Sequence, residues 1–222
     1  MMKYSSLVKR IAGESAEVWD IHEEGRKRLA QGEDVIMLSI GEESDQTTPA
    51  SIQQEAVDSI RRGRHHYTPV IGEDHLRKAI AMSHREHTGQ QVSLENVGIF
   101  AGAQNALFSV CLCLLEQGDE VIVPELYYAT YPATVTAGGA TLVAIPTNAE
   151  MGFQPDPQAI EKSVTPKTRA VLLNSPNNPS GAVYSAETVE TGNCSAAGPR
   201  AVSYTHLRAH ETPEHRVCRL LL

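Results

Sequence analysis

With 41% hydrophobic and 21% charged residues, a 222-residue chain has the balance of a water-soluble globular protein, and none of its apolar runs is long enough to span a bilayer. A formal net charge of −8 argues against nucleic acid as a partner, despite the local basic cluster Arg61-Arg62-Gly63-Arg64-His65-His66, which reads as a solvated helix end. Of the four cysteines, Cys111 and Cys113 sit inside the apolar run 107–115 and read as thiols in a reducing compartment, not as a disulfide framework.

The amino terminus, residues 1–12, has no apolar core followed by a small-residue cleavage site, so export is not expected and a cytoplasmic location is. Pro49 opens a helical pattern over 52–62. Residues 73–86 form a second pattern, with Leu76, Ile80 and Met82 near helical spacing. A short apolar run, Val97-Gly98-Ile99-Phe100, reads as a buried strand, and 104–115 as a mostly apolar helix. Three more strand candidates follow, at 121–123, 142–145 and 170–173, separated by helical or turn segments. Continuous apolar strands alternating with helices predict an α/β fold whose mostly parallel sheet is covered by helices on both faces.

Three junctions in that pattern can hold a ligand. Gly102-Ala103-Gln104 lies between a strand and an apolar helix, so the first amides of the helix, aided by its dipole, form a seat for an anion such as phosphate. An ordinary strand-to-helix turn would have the same look. Tyr127 and Tyr128 follow the strand 121–123 and offer an aromatic face, or packing beneath a loop. The loop Asn174-Ser175-Pro176-Asn177-Asn178-Pro179-Ser180-Gly181 follows the strand 170–173, and its two prolines bias Ser175 and Asn178 away from helix. Asn178 is thereby held at a strand's carboxyl end, where an uncharged carboxamide suits a partly deprotonated ligand oxygen. A Pro-rich turn with capping asparagines is the alternative.

Taken in order, these blocks resemble class I/II aminotransferases, the fold-type I enzymes that use pyridoxal 5'-phosphate. NSPNNPSG is similar to that family's Asn-Pro-Thr/Ser-Gly signature, and Ala101-Gly102-Ala103-Gln104-Asn105-Ala106-Leu107 to its phosphate loop. Leu38-Ser39-Ile40-Gly41-Glu42 resembles its amino-terminal glycine segment. Tyr67-Thr68-Pro69-Val70-Ile71-Gly72 with Leu76-Arg77 resembles its Tyr…Gly…Leu-Arg block, and Gly118-Asp119-Glu120 leading to Tyr127-Tyr128 its Gly-Asp-Glu segment. The opening, Tyr4-Ser5 through Arg10-Ile11-Ala12-Gly13 and Trp19-Asp20-Ile21-His22, most resembles arginine:pyruvate transaminases.

The resemblance implies roles residue by residue. Ala103 and Gln104 would bind the cofactor phosphate, Tyr128 would lie against the pyridine ring, and Asn178 would donate to the cofactor's phenolic oxygen. Tyr67 would reach the neighbouring subunit's phosphate in a homodimer of the full-length parent, unless it is a buried loop tyrosine. Gly41 would contact the substrate carboxylate, unless it is a turn glycine. The substrates implied are an amino acid and a 2-oxo acid, perhaps arginine and pyruvate by the subfamily likeness. Alternatives kept open are a fold-type I lyase or decarboxylase and a non-catalytic protein that binds the cofactor reversibly.

The likeness runs from about residue 4 to 190 and divides as a 1–47 amino-terminal segment, a 48–190 first half of the cofactor-binding domain and a 191–222 tail. All six lysines, Lys3, Lys9, Lys27, Lys78, Lys162 and Lys167, precede the Asn178 loop, whereas the lysine that holds the cofactor in this family follows it. An incomplete sheet and an inactive fragment are therefore expected. Residues 202–222 resemble a translated sequencing adapter, so the tail is expected to be artefactual. Its His206, His210, His215 and Cys218 do not make an H-E-x-x-H site, because 210–215 is one residue too long and Pro213 breaks the helix, so no metal is expected.

Overall fold

The computed structural model describes residues 3–12, 17–40, 47–195 and 217–221, and the described chain forms two compact units, Met1–Ile21 with Gly102–Leu222, and His22–Ala101. Gly41, His206, His210 and His215 lie outside the described residues. The boundary expected near residue 190 falls inside a helix, Ala186–Ser195.

The first unit is built on a four-stranded sheet. Its strands are β1 (Glu120–Pro124), β2 (Thr141–Ile145), β3 (Thr168–Ser175) and β4 (Val217–Leu221), in the order β2-β1-β3-β4. β1 is parallel to both β2 and β3, and β4 lies antiparallel to β3, pairing Val171 with Leu221 and Ser175 with Val217. The helices of this unit are α1 (Ser6–Ile11), α5 (Ala103–Leu114), α6 (Tyr131–Ala137), α7 (Pro157–Lys162) and α8 (Ala186–Ser195). Those of the second, α3 (Ala50–Arg61) and α4 (Asp74–Thr88), follow α2 (Glu17–Ala30) in the chain.

Period-two alternation explains why strands that read as unbroken apolar runs need helices on both faces. Val121 and Val123 of β1 and Ala170 and Leu172 of β3 share one core with Leu107 and Cys111 of α5 and Tyr131 and Val135 of α6. Their neighbours Ile122, Val171 and Leu173 turn the other way, into a core with Ile145, Ile160 of α7 and Tyr184. Each such fully buried aliphatic side chain contributes about 1.5–3 kcal/mol, so slipping either strand by one residue would move a whole set of them between cores. The expected sheet covered on both faces is thus present. α1 is tied to this unit through Arg10, whose Nε donates to Thr136 O (3.1 Å) and Nη2 to Ala137 O (3.2 Å) at the carboxyl end of α6. There the last carbonyls of a helix lack internal partners and attract a cation.

Of the four strands expected from sequence, 121–123, 142–145 and 170–173 are present, but 97–100 is not a strand. A strand needs a hydrogen-bonding neighbour, and residues 97–100 spend their bonds elsewhere in the second unit. Ile99 N–H donates to Ile71 O at 3.0 Å, and Val97 O accepts from Arg77 Nε at 2.8 Å. Residues 97–100 therefore take no place in the sheet. Arg77, only 5% exposed on α4, also donates to Leu94 O (2.7 Å) and pairs with Asp74 (3.2 Å). The Leu-Arg motif is thus a structural clamp, its charge stabilised by two main-chain carbonyls and a carboxylate. Gly72 completes the packing: its φ is 98°, and a Cβ there would come within 2.4 Å of Ile99 Cγ1.

Candidate functional site at the carboxyl ends of β1 and β3

From the central strand β1 the chain goes first to β2 on one side and then to β3 on the other. The gap between β1 and β3 is the point where the winding reverses, which in open α/β sheets is the place where ligands bind. Three segments of the first unit are joined at this end: the start of α5, residues 125–130 after β1, and residues 175–182 after β3.

Gly102, the residue before α5, has φ 87° and ψ 164°, a conformation open essentially to glycine alone. No side chain caps the helix, and a Cβ built on Gly102 would meet nothing within 4 Å. The first-turn N–H groups at Ala103 and Gln104 thus have no side-chain cap, and they stand at the positive end of a twelve-residue helix. The Gln104 side chain is already committed. Its Nε2 donates to Thr134 Oγ1 and its Oε1 accepts from Thr130 Oγ1 (2.7 Å), which ties the side chain to α6.

Tyr128 is half-buried and meets Tyr131 edge to face, with ring centroids 5.9 Å apart and planes at 71°. Tyr131 belongs to the core, while Tyr127 and Tyr128 pack at that core's margin. In the third segment the two adjacent asparagines divide the work. Asn177 is 6% exposed and its Nδ2 donates to Leu126 O (2.7 Å) and Ser180 Oγ (2.8 Å). Its main chain closes the loop, through Asn177 N–H to Ala182 O and Gly181 N–H to Asn177 O, both 2.8 Å. Asn178 is half-buried, and among the described residues its carboxamide has no hydrogen-bond partner. Both X-Pro bonds of this loop, Ser175-Pro176 and Asn178-Pro179, are cis.

Four of the site residues read from sequence, Ala103, Gln104, Tyr128 and Asn178, thus lie on three segments of one unit that side-chain hydrogen bonds join. Tyr67 lies in the other unit, fully exposed, where it lines a hollow of about 310 Å³ with His65 and His66. It is not the buried loop tyrosine of the alternative reading. Sequence reasoning missed Asn177, Thr130 and Thr134. The doubled asparagine and the i, i+4 threonines at the start of α6 were visible, but only burial tells which asparagine is the strap. Among the described residues no group of three or more His, Cys, Asp or Glu side chains is placed to hold a metal ion, and no helix is long and apolar enough to cross a membrane.

Residues 33–191 match the family model for aminotransferase class I and II. The chain belongs to this family. It is 48% identical over 181 residues to arginine–pyruvate transaminase AruH of Pseudomonas aeruginosa, a match that takes in 82% of this chain and 46% of that protein. Aspartate/prephenate aminotransferase of Thermus thermophilus is 39% identical over 160 residues, 72% of this chain and 41% of its own. Among solved structures, aspartate aminotransferase from Thermus thermophilus with maleate superposes with a TM-score of 0.82 at 34% identity, covering 88% of this chain and 50% of that one. The chain spans less than half the length of these two curated relatives. The α/β architecture is part of a fold-type I domain, and the cofactor of the class is pyridoxal phosphate.

Proposed function

We propose that the whole protein transfers an amino group from an amino acid to a 2-oxo acid, with arginine as donor and pyruvate as acceptor, and that the described residues supply the cofactor-seating half of its site. The observation that carries the reading is that an uncapped helix N-terminus, an aromatic loop and a free carboxamide lie on joined segments at the β1–β3 reversal point. The 48% identity to an arginine–pyruvate transaminase supports the choice of substrates.

These groups fit pyridoxal phosphate. The Ala103 and Gln104 amides match a phosphate dianion, since they add two donors and a helix dipole without a titrating group. Asn178 offers N–H donors to the ring's phenolic oxygen and so holds that oxygen deprotonated. Tyr128 covers one ring face and excludes water from it. When bound, the cofactor acts as an electron sink for the pair left at the substrate α-carbon. Gly41 would take part in carboxylate binding through its backbone. The exposed Tyr67 would serve a second copy's phosphate, which would make the homodimer the active form. The proton transfer at the α-carbon needs a lysine, and none of the six in the chain follows Asn178. The 222-residue polypeptide by itself is accordingly inactive, the family likeness giving way to a tail near residue 190.

Titration of the chain with pyridoxal phosphate and with pyridoxal tests the seat. The phosphate form should bind at least about tenfold more tightly, and Asn178→Ala should weaken it by about tenfold, the loss of one charge-assisted hydrogen bond. Equal affinity for the two forms would defeat the reading. In the whole protein, arginine-dependent conversion of pyruvate to alanine decides the substrates.

A further inference from the structure

We propose that Asn177 and Gln104 are positioning residues that fix the segment 126–130, and the Tyr128 ring within it, from its two ends. The proposal rests on the reading above that Tyr128 faces the cofactor ring. Leu126 is held from the β3 side, by Asn177 Nδ2 at 2.7 Å from its carbonyl oxygen. Thr130 is held from the α5 side, its hydroxyl donating to Gln104 Oε1 at 2.7 Å while Gln104 Nε2 donates to Thr134 Oγ1. The Thr134 hydroxyl in turn donates to the carbonyl of Thr130 at 2.9 Å, closing the second pin. Tyr128 lies midway between the pins.

Carboxamides suit this work. Each offers donors and an acceptor without a charge, so it can brace a loop beside a bound phosphate without competing for it, as a carboxylate or an ammonium would. Asn177 itself is buried, so removing its side chain takes away the part-buried donor that the Leu126 carbonyl now has. Beyond Thr130 the chain is held by the burial of Tyr131 in the core, and before Leu126 by the bond from Glu125 N–H to Ile145 O at 2.8 Å. Residues 126–130 are the stretch between these anchors, and they carry the aromatic face. The two pins also join the three loops into one frame, so the anion seat, the ring and the Asn178 carboxamide keep their spacing.

The test uses the full chain in two measurements. Amide hydrogen exchange should speed up about fivefold to tenfold in 126–131 for Asn177→Ala and for Gln104→Met, the Tyr131 N–H to Tyr128 O bond (2.9 Å) among those loosened. An Ile160→Val control, which loosens the core on the opposite sheet face, should leave that segment unchanged. Pyridoxal phosphate, achiral when free, should show an induced circular dichroism that shrinks in both variants, with affinity falling about fivefold in each. In a Tyr128→Ala background the same two substitutions should cost little further affinity. Unchanged exchange in 126–131 for both variants would overturn the proposal, as would affinity losses of the same size without Tyr128. If the wild-type chain fails to bind pyridoxal phosphate, the cofactor reading is what fails, and the exchange pattern still decides the pinning.

Discussion

Replacing Gly102 by alanine isolates the contribution of a single backbone conformation to the anion seat. The new methyl group meets nothing within 4 Å, so no packing is gained or lost. The cost is that of holding a β-carbon at φ 87° and ψ 164°, roughly 1–3 kcal/mol for a region that only glycine adopts freely. That energy has two outlets. If the segment keeps its shape, the strain lowers the stability of the first unit by the same amount. If the backbone relaxes instead, the Ala103 and Gln104 amides swing away from their present direction, stability is kept, and pyridoxal phosphate affinity falls by roughly fivefold to 140-fold. Thermal melting and cofactor titration of one preparation read both outlets. Gly63→Ala is the control, since Gly63 also has a positive φ (77°) and open space at its Cβ but lies in the other unit, so melting should respond and binding should not. A Gly102→Ala chain with unchanged stability and unchanged affinity would refute the reasoning.

Further perturbations probe the packing of each unit. Arg77→Met should destabilise the second unit by about 3–5 kcal/mol, because it leaves the Val97 and Leu94 carbonyls without their buried donor, and should expose residues 94–100 to proteolysis. Arg77→Lys should recover only part of this, as one ammonium cannot span both carbonyls; full recovery would show that charge alone matters. Burial raises the Cys111 thiol from 9.0 to about 11. The folded state therefore holds its proton where the unfolded state has released it, so the associated stability is intact below pH 9 and is lost as pH rises through about 11, up to about 2–3 kcal/mol. Melting curves between pH 8 and 11 (about one point per half unit) should show this fall in the wild type and a shallower one in Cys111→Ala. At pH 8 an alkylating reagent should label the exposed Cys113 and spare Cys111.

Sheet strands that bury side chains on both faces were legible because nothing but a two-sided core accommodates runs such as Val121-Ile122-Val123 and Ala170-Val171-Leu172-Leu173. The helix starts were legible from Pro49 and Gly102, each of which immediately precedes the observed first turn. Residues 97–100 misled for a reason that lies outside the segment. Their composition suits a strand, and Val97 does adopt extended backbone, with φ −120° and ψ 124°. Whether extended backbone becomes a strand depends on a neighbour, and local sequence does not state which carbonyls Arg77 and Ile71 will claim or release. The division of labour within the site was hidden in the same way. Leu126, Thr130 and Thr134 acquire meaning only through partners 26 to 51 residues distant.

Two identical residues, Asn177 and Asn178, show why the carboxamide proposed to face the ligand at a strand end comes with a strap. At the reversal point between β1 and β3, no main-chain ladder holds one loop to the other beyond the last paired residues. A carboxamide aimed at a ligand there would be only as well placed as its loop is stiff. Asn177 supplies the missing cross-link by turning inward to the carbonyl of Leu126, and it does so one residue from Asn178, so the direction of one side chain limits the direction of the next. Exchanging their chemistry separates the roles. Asn177→Asp removes the donor and buries an uncompensated charge against a carbonyl, which disturbs both loops whether or not cofactor is present. Asn178→Asp should leave the frame intact and, under the proposed role of Asn178, would set a carboxylate opposite the phenolic oxygen of the cofactor. Exchange rates in 126–131 should therefore respond to the first substitution and not to the second, while cofactor affinity should respond to both; exchange that rises equally in the two variants would mean that Asn178 too is part of the strap.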